Sequence, residues 1–214
     1  MDKVIIWGAT GQAIVMEELL SYYNVKIEAL FDNDTTVHSP IPQVPIYYKE
    51  EGFEKWLSSI ENPRDYYYIV AIGGNSGIVR QKIGEMLERK RLKPFTAIHP
   101  TSFVAKNAVI GKGVQILANS SICAKACLGD FVIINTAASI DHECNLGNGV
   151  HVGPGAKLAG CINVGDNTFI GTNATILPRI KIGTNAVVGA GSVVTKNIPD
   201  DVVAFGNPCK IKIN

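Results

Sequence analysis

The pattern of apolar and polar residues along the chain changes character near residue 95. Up to that point, short apolar runs alternate with segments in which apolar residues recur at helical spacing. The predicted elements are, in order, the strand VIIWG at 4–8, the helix IVMEELLSYY at 14–23, the strand KIEALFDN at 26–33, the strand DYYYIVAIGG at 65–74 and the helix GIVRQKIGEMLERKRL at 77–92. Pro40, Pro42 and Pro45 indicate an irregular stretch among them. This β-α-β alternation predicts a small parallel sheet.

After residue 95, an aliphatic residue occupies every sixth position without interruption. The series is Ile98, Val104, Ile110, Ile116, Ile122, Leu128, Ile134, Ile140, Leu146, Val152, Leu158, Val164, Ile170, Ile176, Ile182, Val188 and Val194. A helix of 3.6 residues per turn cannot keep a strict period of six, and no hairpin turn signals break the series. A fixed repeat of this kind predicts a solenoid in which each turn places an aliphatic side chain inside.

Composition excludes several classes of function. The formal net charge is +1 over 214 residues, so the chain lacks the strong positive electrostatic field that favours binding to nucleic acid or an anionic membrane. No stretch approaches the ~18 apolar residues of a membrane-spanning helix. The N-terminal segment MDKVIIWGATG resembles a folding strand more than a signal peptide, so we expect a cytoplasmic protein. The five cysteines form no CxxC pair, which argues against a disulfide framework or a structural zinc site.

A glycine-rich turn and several polar residues follow the predicted N-terminal strands. Backbone N–H groups of a glycine turn that opens a helix can hold phosphate, and an acid after the next strand can bind a ribose or a base. A dinucleotide-binding domain would look similar, but ~95 residues is short for its full six-stranded version. The residues expected to bind a nucleotide are Gly8, Thr10, Gly11, Gln12, Asp32, Asn33, Gly73 and Asn75.

The repeat resembles the left-handed parallel β-helix of the hexapeptide-repeat transferases. Seven segments narrow the resemblance: GATGQA, FDN, AIGGN, IHP, NTAASIDHEC, HVGPGAKLAG and GNPCKI. In this order they are similar to bacterial nucleotide-sugar acetyltransferases of the PglD/NeuD type. The resemblance implies a small Rossmann-like β-α-β domain at 1–95 that binds a nucleotide-sugar. It further implies a left-handed β-helix acyltransferase domain with a short tail at 96–214, acetyl-CoA as cosubstrate, and a homotrimer with sites between subunits.

Acetyl transfer to an amine needs a proton acceptor near the amine and donors at the developing oxyanion. His142 lies between two carboxylates, either of which could fix its tautomer. The resemblance assigns the general base to His142 and its acidic helper to Glu143, with Asp141 as the alternative. His99 and His38 are expected to be structural and exposed, respectively.

Three hexads per coil would stack residues that lie 18 apart. Gly160 then lies about 4.8 Å from His142, where its N–H could serve as an oxyanion donor. His151 is half a coil away, so we expect its ring to project from the opposite side and to meet His142 of a neighbouring subunit. His151, Gly160 and Lys196, the last at the top of the His142 column, are the residues expected to bind acetyl-CoA. Lys210 is a further candidate for the CoA phosphates.

The predicted function is direct acetyl transfer from acetyl-CoA to the amine of a nucleotide-linked sugar, with a 4-amino-4,6-dideoxy sugar preferred, for surface glycan synthesis. No metal is expected. Gln12 stands where the family usually has a histidine, so the substrate or its binding strength could differ. O-acetylation of a sialic-acid-like sugar and non-catalytic nucleotide-sugar binding stay open, as does the nucleotide base. A carbonic anhydrase would need three histidines on one zinc, which the histidine spacing disfavours.

Overall fold

The computed structural model describes residues 1–212 and divides into two compact units. The first comprises Met1–Ile72 and Lys82–Thr96, and the second comprises Gly73–Gln81 and the described residues from Ala97 onward. No helix within residues 1–212 has both the length and the apolar character needed to cross a membrane.

The first unit is built on a five-stranded parallel sheet. Its elements are β1 (Asp2–Trp7), α1 (Gly11–Leu20), β2 (Val25–Asp32), β3 (Ile46–Tyr48), α2 (Lys49–Ser58), a 3-10 turn (Pro63–Asp65), β4 (Tyr66–Val70), α3 (Gly77–Arg89, beginning in the second unit) and β5 (Lys93–Pro94). The strand order is β3-β2-β1-β4-β5, and every neighbouring pair is parallel. The Rossmann-like sheet predicted from the alternating pattern is therefore confirmed.

Two strands and one helix of this unit, all after Pro45, were not predicted from the sequence: β3, β5 and α2. Ile46–Tyr48 extends the sheet beside β2, and Lys49–Ser58 forms α2 directly after it. The helix buries Phe53 and Trp56, whose rings lie 5.3 and 5.4 Å from that of Phe31. Only these two side chains of the ten-residue helix are buried, so its apolar stripe is short. The many charged residues of the helix make that stripe hard to recognise in the sequence.

The second unit is a β-helix made of seventeen strands of two residues each. They are β6 (Ala97–Ile98), β7 (Phe103–Val104), β8 (Val109–Ile110), β9 (Gln115–Ile116), β10 (Ser121–Ile122), β11 (Cys127–Leu128), β12 (Ile133–Ile134), β13 (Ser139–Ile140), β14 (Asn145–Leu146), β15 (His151–Val152), β16 (Lys157–Leu158), β17 (Asn163–Val164), β18 (Phe169–Ile170), β19 (Thr175–Ile176), β20 (Lys181–Ile182), β21 (Val187–Val188) and β22 (Val193–Val194). Every third strand joins the same parallel sheet, so three faces wind around one core.

The six-residue period places one aliphatic side chain of every hexad in the core. The aliphatic positions from Ile116 to Val194 are buried, and Ile98, Val104 and Ile110 pack against them at the open end. Ile122 pairs with Val104 on one side and Ile140 on the other, which fixes a coil of 18 residues. Each buried aliphatic side chain contributes roughly 1.5–3 kcal/mol, so the repeat is also the source of stability. The predicted left-handed β-helix is confirmed.

The strict register ends at Val194. Beyond it, Ile182 bridges Ile198, so the last corner is two residues shorter than those before it. Lys196 lies in this shortened corner and is exposed. The 18-residue spacing last holds where Ile176 pairs with Val194, so the place of Lys196 in the column of His142 stays a prediction. Strands β23 (Val203–Phe205) and β24 (Lys210–Ile211) pair antiparallel and close this end.

Candidate active site

His142 lies on the corner between β13 and β14, flanked by its two carboxylates. Its imidazole Nδ1 is 3.2 Å from Glu143 Oε2, whereas Asp141 Oδ1 accepts a hydrogen bond from the His142 backbone N–H at 2.7 Å. The two acids therefore do different things: Asp141 holds the backbone of the corner, and Glu143 holds the ring. This geometry selects Glu143 over Asp141 as the partner of the imidazole.

Glu143 reaches the ring because of its backbone conformation. Its φ is +58°, and the same left-handed conformation recurs at six-residue spacing along the β-helix, for example at Ala137 and Gly149. A carboxylate that accepts a hydrogen bond from Nδ1–H fixes the tautomer in which Nε2 carries a lone pair. The side chains of His142 and Glu143 are each 53% exposed, so the lone pair is open to a substrate.

Gly160 lies one coil from His142, directly against its imidazole. A methyl group built on Gly160 would press on His142 Nε2 and lie 2.6 Å from Cε1. Cys161 N donates to His142 O at 2.9 Å, and Arg179 N donates to Gly160 O at 3.1 Å, so the stacked coils are fixed on both sides. Within residues 1–212 the Gly160 N–H has no acceptor. The predicted neighbourhood of Gly160 and His142 is thus present, with a free amide donor beside it.

A groove of about 580 Å³ runs along one face of the β-helix, the face of the strand that begins three residues after His142. Its floor follows β11, β14, β17 and β20, and the outward side chains on it include Cys127, Asn145, Asn163 and Lys181. Sequence reasoning missed these residues. They form a column at 18-residue spacing that the period contains, but only the column through His142 had been followed.

His151 lies on β15 and is placed differently from the expectation. The residue is 5% exposed, its Nδ1 is 3.3 Å from Gly74 O, and its Nε2 is 3.2 Å from Asn135 Nδ2. The Phe169 ring packs edge-on against it, with centroids 5.2 Å apart. The expectation that this ring projects outward to meet His142 of a neighbour is therefore wrong. The segment Gly73–Gln81 of the same unit covers it, which no property of the six-residue period foretells.

Burial, together with a neighbouring buried arginine, determines the charge state of His151. Arg80 is fully buried, and its guanidinium donates to Phe131 O at 3.1 Å and to Gly149 O at 2.5 Å. Burial lowers the Arg80 pKa to about 10, which leaves it cationic at neutral pH. Burial, and after it the charge of Arg80, lowers the pKa of His151 to about 4. The imidazole is therefore neutral at physiological pH.

The low pKa of His151 makes stability depend on pH. The unfolded chain takes up this proton near pH 6.5 and the folded chain only near pH 4, so between these values the unfolded state binds more protons. We expect the free energy of unfolding to fall by up to about 3 kcal/mol as the pH is lowered across this window. Urea unfolding of the wild type and of His151→Asn at pH 7.5 and pH 4.5 measures it. Equal losses in both proteins would contradict the assignment.

In the first unit, the glycine turn joins β1 to α1. Gly8 has φ +103°, and a Cβ there would press on Ala71 O and lie 2.9 Å from Ala71 C, so only glycine fits. Thr10 precedes α1, Gly11 begins it with open space around its Cα, and Gln12 is half-buried in its first turn. The backbone amides at this helix start therefore have the arrangement expected of a phosphate site.

Asp32 supports this turn from the end of β2. Its Oδ2 accepts from the Ala9 N–H at 2.8 Å and its Oδ1 from the Asp34 N–H at 3.0 Å. Both oxygens thus accept a backbone hydrogen bond that shapes the loop. A carboxylate has further lone pairs for a ribose, so that role of Asp32 stays a prediction. Asn33 is exposed and lines a cavity of about 220 Å³ together with Trp7 and Lys82.

Gly73 and Asn75 belong to the second unit. A Cβ on Gly73 would lie 3.6 Å from His151 Cε1, so the segment runs close over the buried ring. Asn75 is exposed at the start of α3 and lines a cavity of about 320 Å³ with Asn167 and Asn185. The expected nucleotide-binding residues therefore divide between the two units.

Comparison with known proteins places the chain in a family. A model of the bacterial transferase hexapeptide (six repeats) matches residues 161–196. The solved structure of perosamine N-acetyltransferase from Caulobacter crescentus, a histidine-to-asparagine mutant in complex with CoA and GDP-perosamine, is 33% identical. It covers 100% of this chain and 98% of that one, with a TM-score of 0.90. This chain belongs to the hexapeptide-repeat sugar N-acetyltransferases.

Two further relatives of this sugar N-acetyltransferase have been identified. The acetyltransferase domain of PglB from Neisseria gonorrhoeae, solved with acetyl coenzyme A, is 31% identical over 98% of both chains, with a TM-score of 0.85. UDP-N-acetylbacillosamine N-acetyltransferase of Bacillus subtilis is 41% identical over 127 residues, which is 55% of this chain. The match spans 52% of that curated relative, about half its length.

Proposed function

We propose that this acyltransferase transfers the acetyl group of acetyl-CoA to the amine of a nucleotide-linked amino sugar, with a 4-amino-4,6-dideoxy sugar as acceptor, in surface glycan synthesis. The observation that carries the proposal is the His142–Glu143 pair beside the free Gly160 amide. A relative that covers the whole chain was crystallised with CoA and GDP-perosamine, which supports the same pair of substrates.

Direct transfer accounts for every atom of the reaction. The sugar amine attacks the thioester carbonyl while His142 Nε2 takes its proton. Glu143 stabilises the imidazolium, and the Gly160 N–H donates to the oxyanion. The tetrahedral intermediate then collapses, the C–S bond breaks, and the CoA thiolate leaves and takes the proton from His142. No cysteine or serine needs to form an acyl-enzyme.

The groove on the β14 face suits the pantetheine arm of acetyl-CoA. Strand β14 on its floor begins three residues after His142. Its outward Asn145 and Asn163 offer amide groups, and Lys181 and the exposed Lys196 offer cations for the CoA phosphates. A homotrimer would close this open face with a second subunit, so we include the trimer in the proposal.

The glycine turn of the first unit is the proposed site of the nucleotide diphosphate. The amides of Thr10 and Gly11 meet a phosphate at the start of α1, where the helix dipole favours an anion. Gly8, whose own N–H donates to Phe31 O at 2.7 Å, gives the turn its shape. Gln12 can donate a hydrogen bond there but carries no charge. Asn33, exposed just after β2 in the same unit, is a polar group available to the base.

A substrate screen tests the proposal. UDP-, dTDP- and GDP-linked 4-amino sugars are offered with acetyl-CoA, and thiol release and product mass are followed. We expect rapid release with at least one of them and an acetyl group on nitrogen. Release of no thiol with any amino sugar would contradict the enzyme and leave a binding protein. An ester on a hydroxyl would favour O-acetylation. Full activity of a strict monomer would contradict the trimer.

A further inference from the structure

A third metal-binding side chain stands beside the catalytic pair. Cys161 lies one coil above Glu143 and has the same left-handed backbone, with φ +62° against +58°. Its Sγ is 4.0 Å from Glu143 Oε2, and that oxygen is 3.2 Å from His142 Nδ1. The sulfur, the carboxylate oxygen and an imidazole nitrogen all lie within 4.8 Å of one another. This is a compact set of one sulfur, one nitrogen and one oxygen.

We propose that these three residues form an inhibitory zinc site at the active corner. Zinc prefers Cys, His and carboxylate ligands in tetrahedral geometry, with bonds of about 2.0–2.3 Å, which places ligand atoms roughly 3.3–3.5 Å apart. The nitrogen–oxygen separation of 3.2 Å already fits, the sulfur must approach the oxygen by about half an ångström, and all three ligand atoms start within 4.8 Å of one another. The His142 and Glu143 side chains are half-exposed and free to adjust, and water completes the fourth position.

Zinc at this site would block the base through the tautomer of the imidazole. In the active arrangement Nδ1 carries the ring proton and donates a hydrogen bond to Glu143, while Nε2 has the lone pair. Zinc takes the place of that proton on Nδ1, and a neutral imidazole then carries its one proton on Nε2. The nitrogen beside Gly160 loses its lone pair and cannot receive the proton of an amine. The thiolate of Cys161 is what distinguishes this site from an ordinary His–Glu pair, since thiolates favour zinc over magnesium or calcium.

Direct binding is measured on the full-length protein with Co²⁺ and Zn²⁺ alone, without substrates. We expect Co²⁺ to give a thiolate charge-transfer band and tetrahedral ligand-field absorption, and Zn²⁺ to displace it stoichiometrically. Cys161→Ala is expected to lose the band and to weaken Zn²⁺ binding by more than about tenfold. Cys209→Ala removes a similarly half-buried thiol elsewhere and should bind as the wild type does. Absence of the band, or its survival in Cys161→Ala, overturns the site.

A second experiment measures turnover in the presence of zinc. It rests on the proposed function and uses the acceptor found in the substrate screen. Zn²⁺ is expected to lower wild-type turnover by more than about tenfold, and chelation should restore it. Cys161→Ala should turn over normally without metal and stay active at the Zn²⁺ concentration that stops the wild type. Equal inhibition of both proteins overturns the proposal. Failure of the proposed function itself shows differently: turnover is then absent with a chelator present, while the Co²⁺ spectrum still reports the site.

Discussion

His142→Ala is expected to lower kcat by about 10²–10⁴-fold while leaving acetyl-CoA affinity unchanged, because positioned proton transfer contributes that much to such reactions. The ring is half-exposed and its partner is Glu143, so its removal leaves no buried group unpaired and the fold should remain intact. Steady-state kinetics with the preferred amino sugar and calorimetric titration with CoA separate the two effects.

His38→Ala provides the matched control. This histidine is exposed and lies in the first unit, so its removal should change neither kcat nor KM. Glu143→Gln should fall between the two, since glutamine can still contact Nδ1 but cannot stabilise an imidazolium. Turnover of His142→Ala within threefold of the wild type would refute the assignment of the base.

Gly160→Ala is expected to lower kcat by about 10²-fold with little change in stability. The new methyl would press on His142 Nε2 and lie 2.6 Å from Cε1. The imidazole is the end of a half-exposed, flexible side chain, so it moves aside instead of straining the coil. A displacement on the order of 1 Å at a reacting group costs about 10²-fold in rate. Kinetics and thermal unfolding of the same preparation measure both quantities.

Gly191→Ala is the reciprocal control in the same β-helix. Its Cβ would meet nothing within 4 Å, but its φ is +65°, so alanine is strained there. We expect a loss of about 1 kcal/mol in stability and wild-type turnover. If Gly160→Ala instead unfolds the protein, or turns over normally, the close approach of its methyl to the imidazole is not what governs catalysis.

The fold could be predicted from the sequence because every hexad contains the same residue pattern, and that pattern places each hexad in the β-helix. Every hexad presents the same inward aliphatic side chain, so one rule applies from Ile116 to Val194 and also sets Gly160 against His142. The rule fails where the chain leaves the repeat. Ile198 bridges Ile182 across a corner two residues shorter than the others, which the six-residue period does not predict.

The contacts of other residues depend on segments distant in sequence. His151 fits the period, yet its burial is caused by Gly74 and Arg80, which precede the β-helix. Asp32 follows its strand as predicted, but the sequence pattern does not predict that it accepts hydrogen bonds from the Ala9 and Asp34 amides. Such contacts depend on how segments pack, and a spacing pattern within one segment carries no information about them. The choice of Glu143 over Asp141 likewise required side-chain geometry.

The 18-residue register of the β-helix also determines which lengths of insertion or deletion leave the catalytic corner intact. An insertion of six residues between His142 and Gly160 would rotate everything above it by one face and carry the amide away from the imidazole. A full coil inserted beyond Arg179 would lengthen the prism by about 4.8 Å and leave the catalytic corner untouched. Chains of this architecture can therefore acquire or lose height in whole coils without altering their chemistry, whereas smaller insertions are tolerated only where they bulge outward at a corner.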